Sequence, residues 1–101
     1  MTTGAAGAGG PLVRDYRAAL LRHLALREEA SRTAGYELCR TALAARVSLL
    51  ELVRVHHQVL AEVLESSLPG EVPEVADAAA DLLVEVLASY DMVQRSLPPG
   101  P

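Results

Sequence analysis

The chain has one cysteine, three tyrosines and neither phenylalanine nor tryptophan, and it also lacks lysine, isoleucine and asparagine. A single cysteine cannot form an internal disulfide or a cysteine-rich zinc site, so burial alone must hold the fold, as reducing cytoplasm requires. The scarcity of rings and a net charge of -4 disfavour nucleic-acid binding, because base stacking and a positive field are both missing. No apolar run of about 18 residues and no signal sequence is present, so we expect a cytoplasmic protein without a membrane anchor.

What the chain does contain is a helix-forming set of 17 alanines, 17 leucines and 11 valines among 101 residues. This length is typical of one small domain. Small residues dominate the first ten positions and the chain ends in Pro-Pro-Gly-Pro. We therefore expect flexible tails at 1–10 and 98–101 around a folded domain at 11–97.

Apolar residues recur at spacings of three and four, which is the pattern of amphipathic helices. The pattern predicts four helices at about 11–25, 28–45, 48–66 and 73–96. Ser48 and Glu51 form a capping-box signature at the start of the third helix, and Pro73 fits the first turn of the fourth. Short connections favour antiparallel neighbours, so the predicted fold class is an all-α, four-helix antiparallel bundle.

The third helix is apolar over more of its circumference than one neighbouring helix can cover, because its polar strip spans only about 80°. It therefore lies either at the centre of a monomer or against a second copy of the chain, and the sequence leaves both open. The residues assigned to this core or dimer contact are Leu49, Leu52, Val53, His56, Val59, Leu60 and Val63.

The fourth helix carries an apolar stripe on its polar side, where Val84 has Ala80 and Ala88 one turn away on either side. A shallow apolar stripe beside charged residues is typical of a docking face. The neighbouring acidic ridge has no His or Cys at ligand spacing, so it predicts a solvated face instead of a metal site, with contact to a basic patch of a partner as the alternative. Its members are Glu74, Asp77, Asp81 and Glu85.

The second helix has a ridge of Tyr36, Cys39 and Leu43 that lies away from its alanine-rich face and beside Arg32 and Arg40. An amphipathic tyrosine next to arginine fits an interface. Packing of this ridge on helix 1 or helix 4 fits equally well, and the sequence does not separate the two.

Residues for catalysis are missing, since no nucleophile is set beside a base and no glycine-rich loop precedes a helix. We expect no catalytic residue, cofactor or metal. His56 and His57 are adjacent, hence about 100° apart on a helix, and cannot chelate one ion together. His23 and His56 each lie within an apolar face, which predicts buried histidines bonded to the backbone, with a pH-sensitive interface as the alternative.

Three segments carry a resemblance to a known family, namely residues 36–40 (YELCR), 51–60 (ELVRVHHQVL) and 81–92 (DLLVEVLASYDM). They resemble the N-terminal domain of RsbU-type phosphoserine phosphatases over about residues 12–95. Similar domains begin actinobacterial sensor kinases and phosphatases, and the fold group includes the C-terminal domain of the clock protein KaiA.

The resemblance implies a non-catalytic, dimeric regulatory domain of bacterial stress signalling. It implies binding of a switch kinase of the RsbT type, which turns on a C-terminal metal-dependent serine phosphatase. Neither that phosphatase nor its coiled-coil linker follows before Pro101, so we expect an excised or a stand-alone domain. The expected partner face consists of Thr33, Tyr36, Arg40, Ala80, Val84 and Ala88.

The alternative function is a sensory or structural module. Such a module would hold a small apolar ligand between its helices, or would only dimerise a larger signalling protein. A cavity between helices favours the first of these.

Overall fold

A computed structural model describes residues 9–26 and 30–96 of the chain, and every regular element in these two ranges is helical. The helices are α1 (Gly9–Leu26), α2 (Ala30–Ala44), α3 (Leu49–Glu65) and α4 (Val72–Ser96), with a 3₁₀ turn at Pro69–Glu71. The predicted all-α bundle is confirmed. The expected flexible tails fall mainly on residues outside the described ranges.

The predicted helix ends agree with the structure to within two residues. Helix α1 begins two residues earlier than expected, at Gly9, and α4 begins at Val72, directly after the 3₁₀ turn. Ser48 caps α3 as predicted, because its hydroxyl oxygen accepts a hydrogen bond from the backbone N–H of Glu51 at 3.1 Å.

The end of α2 is a left-handed cap that the sequence gives no sign of. Arg46 has φ of 58°, and the N–H of Val47 donates to the carbonyl of Ala42 at 2.9 Å while that of Arg46 donates to Leu43 at 3.1 Å. This bond pattern is a Schellman motif, which usually places glycine where Arg46 stands. The cap turns the chain sharply into α3.

Helices α1 and α4 form the middle of the bundle, since each packs against all three other helices. Helices α2 and α3 lie on either side of this pair, and in the described part of the chain they share no comparable contact with one another. Helix α3 is therefore at an edge of the bundle, which rules out the central position that the sequence left open for it.

The core is made of aliphatic side chains together with Cys39 and two buried tyrosines, Tyr16 of α1 and Tyr90 of α4. Each of α1 and α4 buries one face, and α3 contributes one line of residues. The largest fully buried side chains are Tyr16, Leu12, Leu20, Leu52, Leu82, Val59, Val86 and Cys39.

The closest pairing of helices joins α2 to α4, at Gly35. A Cβ atom placed on Gly35 would stand 2.6 Å from the Cβ of Glu85 and 2.8 Å from its backbone carbonyl carbon. Only glycine therefore permits this approach. Burial raises the pKa of Tyr90, and the nearby Cys39 side chain adds to this effect. Cys39 and Tyr90 each lie about one turn beyond the contact between Gly35 and Glu85, so α2 and α4 run in the same direction.

The buried face of α2 includes Leu38 and Ala42 of the alanine-rich face and extends to Cys39, which is 1% exposed. The ridge of Tyr36, Cys39 and Leu43 therefore packs into the core at its middle member, in agreement with the packing alternative that the sequence left open for it. Tyr36 and Leu43 remain on the surface.

Candidate interaction surfaces

The apolar stripe of α4 lies on the surface of the described structure. Val84 is 62% exposed, and Ala80 and Ala88 on either side of it are exposed as well. Met92, one further turn along, is 69% exposed and extends the stripe beyond the three residues predicted for it. Its spacing of four residues from Ala88 was the available signal.

The three α2 residues of the expected partner face lie at two different parts of the surface. Tyr36 and Arg40 are exposed together, and the Arg40 guanidinium carbon lies 5.9 Å from the Tyr36 ring centroid. Arg40 also lies 3.9 Å from a carboxylate oxygen of Glu37. Thr33 instead lines a concave surface between α1 and α2.

The contact at Gly35 brings the exposed residues of α2 beside α4. Because Gly35 meets Glu85 and the helices run in the same direction, Tyr36 and Arg40 lie alongside the α4 segment that follows Glu85. This segment contains Ala88. Helices α2 and α4 are therefore neighbours in the fold, which the sequence could not establish.

The apolar circumference of α3 is divided between core and surface. Leu52, Val59 and Val63 are buried, as is Val55, whereas Leu60 is half-buried and packs against the core. Three large apolar side chains of α3 are exposed in the described structure: Leu49, Leu50 and Val53. Leu50, 64% exposed, was not among the residues assigned to this contact.

His56 joins α3 to α1 through a side chain instead of the backbone, which corrects the expectation for it. Its Nδ1 lies 2.8 Å from the hydroxyl of Tyr16, and the two rings meet edge to face with centroids 5.7 Å apart. Burial lowers the pKa of His56, and the neighbouring His57 lowers it further. The neutral imidazole therefore accepts a hydrogen bond from the Tyr16 hydroxyl, and burial raises the pKa of Tyr16.

An ion pair lies next to this contact. Arg17 donates from Nε and Nη2 to Oε1 of Glu62 at 3.0 Å and 2.6 Å. These hydrogen bonds, and a further one from Gln58, lower the pKa of Glu62. Both side chains of the pair are partly exposed, so solvent screens the attraction and the pair contributes little to stability.

His23 of α1 is 5% exposed, and neither ring nitrogen has a hydrogen-bond partner. Its Nε2 lies 3.6 Å from a carboxylate oxygen of Asp81 on α4. The predicted burial of His23 is confirmed, but the predicted backbone hydrogen bond is wrong. The imidazole instead faces Asp81 of the acidic ridge.

A pocket with a volume of about 400 Å³ lies between α1 and α2. Charged side chains of Asp15, Arg22 and Glu37 line it beside small residues, and it is open to solvent. A site for a small apolar ligand is enclosed and mostly apolar. This concavity therefore gives the ligand-binding alternative little support.

The described residues contain no group of three His, Cys, Asp or Glu side chains that could hold a metal ion. Cys39 is buried, and burial raises the pKa of its thiol. Both properties disfavour a reactive thiolate. The prominent features of the described surface are instead the exposed apolar residues of α3, α4 and α2.

A four-helix bundle with apolar faces exposed on its outer side has the structure of a helical protein-interaction domain. Residues 14–93 match the family model described as phosphoserine phosphatase RsbU, N-terminal domain. The chain belongs to this family, as its sequence indicated. The RsbU N-terminal domain is a non-catalytic regulatory domain, and membership of its family supports a regulatory role of the kind found in partner-switching phosphatases.

No curated protein and no solved structure matches the chain significantly. Among the described residues, no helix is both long enough and apolar enough to cross a membrane.

Proposed function

We propose that this domain binds a switch kinase of the RsbT type, or a similar regulator, and thereby controls a serine phosphatase in a bacterial stress response. Membership of the RsbU N-terminal family supports a partner-switching role. The observation that carries the proposal within this chain is the exposed Val84 in the middle of α4. Such a pathway operates in the cytoplasm, where we propose the domain acts.

The proposed docking face consists of Ala80, Val84 and Ala88 on α4, with Tyr36 and Arg40 of α2 along its edge. Two alanines flank Val84, so a partner helix can approach the α4 backbone closely. Tyrosine and arginine are enriched at protein interfaces, and here they lie together on the surface. Thr33 is at the far margin, because it lines the concavity between α1 and α2.

A charge placed on this face tests the docking proposal. We expect Val84→Asp to abolish binding of the cognate kinase, because the complex would bury an unpaired carboxylate. The fold should survive, since Val84 is 62% exposed. Leu68→Asp is the matched control, because Leu68 is 67% exposed in the turn between α3 and α4.

Binding is measured by titration calorimetry, and helix content by circular dichroism. A folded Val84→Asp variant that binds the kinase as the native chain does would exclude this face. Loss of binding in Leu68→Asp as well would show a general effect of added charge.

We further propose that the domain is a homodimer joined through α3. The three exposed residues Leu49, Leu50 and Val53 form an apolar surface next to half-buried Leu60. A second copy of the same surface covers them in a two-fold arrangement, as is usual for small dimers. Burial of this surface adds stability to a small core.

The exposed position of Leu50 gives a clean test of this dimer. We expect Leu50→Asp to yield a folded monomer, whereas Leu60→Asp should unfold the domain, because Leu60 packs against the core. Light-scattering mass separates the two outcomes. A Leu50→Asp protein that keeps a dimeric mass would exclude this interface.

A further inference from the structure

Charge is unevenly distributed along the chain. Residues 55–94 contain eight acidic residues and no arginine or lysine, whereas eight of the nine arginines precede residue 55. In the fold this places a row of three acidic side chains along α4, apart from Asp91, which pairs with Arg95 at 3.1 Å. Asp77, Asp81 and Glu85 recur every fourth residue, in a row beside Ala80, Val84 and Ala88.

Within the part of the chain that the structure describes, no arginine neutralises the acidic row. Among the described residues, none of Asp77, Asp81 and Glu85 forms an ion pair with an arginine. The contact that reaches the row is the 3.6 Å approach of His23 to Asp81. His23 is 95% buried, and both of its ring nitrogens lack a hydrogen bond. The row therefore retains its full capacity to accept hydrogen bonds from cationic groups outside the chain.

We propose that the α4 face binds a cationic amphipathic helix of its partner. Small or aliphatic residues of that helix lie on Ala80, Val84 and Ala88, and arginines or lysines contact Asp77, Asp81 and Glu85. The acidic row spans two helical turns, about 12 Å, so the partner helix carries its basic residues at the same spacing of about four. This inference rests on the docking role proposed above and specifies its chemistry.

The consequence of this chemistry is salt-dependent and sign-specific binding. Exposed charge pairs at the rim of an interface raise the association rate and reject partners of like charge. Their attraction weakens as the Debye length falls from about 30 Å at 0.01 M salt to about 10 Å at 0.1 M. A partner held by Val84 alone would show neither effect.

Two helical peptides of about 18 residues, roughly 27 Å long, are the probes. One carries alanine and leucine on one face and arginine on the other, and the second replaces every arginine with glutamate. Titrated into isotopically labelled protein, the arginine peptide should shift the amide resonances of Ala80, Val84 and Ala88. The shifts should decrease with salt, and the glutamate peptide should cause none.

Equal binding of both peptides, or shifts at Leu50 and Val53 instead of α4, would overturn the proposal. Absence of binding by the arginine peptide would also overturn it. A change in the protein's own mass on Val84→Asp substitution would show that a second copy of this chain occupies the face.

Charge-neutral variants test the acidic row directly. The triple substitution of Asp77→Asn, Asp81→Asn and Glu85→Gln should weaken the arginine peptide roughly tenfold, since each exposed pair contributes up to about a factor of five. The matched control neutralises three exposed acids away from α4 and changes the net charge equally: Asp15→Asn, Glu51→Gln and Glu65→Gln. It should bind as the native chain does, and equal weakening in both would refute a local role.

The same variants separate this inference from the docking proposal. A switch kinase that binds through Val84 but equally well to the triple variant leaves docking intact and contradicts the cationic helix. Binding of the arginine peptide to α4, with every switch kinase failing to bind, contradicts the kinase and retains the chemistry of the face.

Discussion

The hydroxyl of Tyr16 lies 2.8 Å from Nδ1 of His56 and joins α1 to α3 next to the core. Tyr16 is fully buried, whereas His56 is only partly so. With His56 neutral, Nδ1 accepts this bond, whereas protonation would turn Nδ1 into a donor to the phenol oxygen and place a positive charge at a partly buried site. This pair therefore makes the packing of α3 on α1 dependent on pH.

The first prediction is a loss of stability on mild acidification. The pKa of His56 in the folded chain is below its usual value of 6.5, so the unfolded chain binds the proton more readily. The contribution of neutral His56 is fully present above pH 6.5 and is lost as the pH falls toward the folded pKa. Urea unfolding between about pH 7.5 and about pH 5.5 measures this loss.

Two variants isolate the contribution of His56. His56→Gln offers an amide oxygen to Tyr16 at every pH, so the loss between these pH values should be smaller than in the native chain. His57→Gln, at an exposed neighbour, should retain most of it. An unchanged pH dependence in His56→Gln would show that another group causes the effect.

The second prediction concerns Gly35. Replacing glycine by alanine inside a helix usually stabilises it by about 1 kcal/mol. At Gly35 the added methyl would overlap Glu85 at 2.6 Å, so α2 and α4 must separate. We expect Gly35→Ala to lower the free energy of unfolding by about 1–3 kcal/mol.

Gly70→Ala is the control, because a Cβ there meets nothing within 4 Å. It should leave stability unchanged or slightly raised. Thermal unfolding of both variants is the measurement, and a stable Gly35→Ala protein would contradict the close approach of α2 to α4.

The third prediction is a stabilising substitution at Arg46. Its left-handed conformation, φ 58°, costs an L-residue roughly 1–2 kcal/mol, and glycine avoids this cost but loses more entropy on folding. The net gain expected for Arg46→Gly is about 0.5–1 kcal/mol in urea unfolding. Ala44→Gly, within the last turn of α2, should instead destabilise by a similar amount.

The fourth prediction separates core from interface on α3. Leu52 is fully buried, so Leu52→Ala should cost about 2–5 kcal/mol at every protein concentration. Leu50 is exposed in the single chain, so Leu50→Ala should mainly reduce the concentration dependence of Tm that dimerisation causes. Melting curves at several concentrations distinguish the two. The assignment fails if Leu50→Ala is as costly as Leu52→Ala in dilute solution.

The sequence predicted the helices and most of the core because both depend on local spacing. The faces of α1 and α4 follow from residues three and four apart, and Ser48 marks the start of α3. Val84 could be singled out for the same reason, since an apolar residue on a polar face is visible without any knowledge of neighbours. Its exposure agrees with that reasoning.

What the sequence could not predict depends on contacts between distant residues. Forty residues separate Tyr16 from His56, and fifty separate Gly35 from Glu85. Local spacing could not decide between core packing and surface for the ridge of Tyr36, Cys39 and Leu43, of which Cys39 is buried and the other two are exposed. The edge position of α3 likewise follows from the pairing of the other helices, and its wide apolar circumference alone did not distinguish core from surface.

The most direct test of the central claim is the light-scattering mass of this domain mixed with switch kinases of the RsbT type, measured beside its Val84→Asp variant. Our account predicts that one kinase raises the mass of the native domain, while the folded variant keeps the mass it has alone. A native mass unchanged by every such kinase, or an equal rise with Val84→Asp, would contradict it.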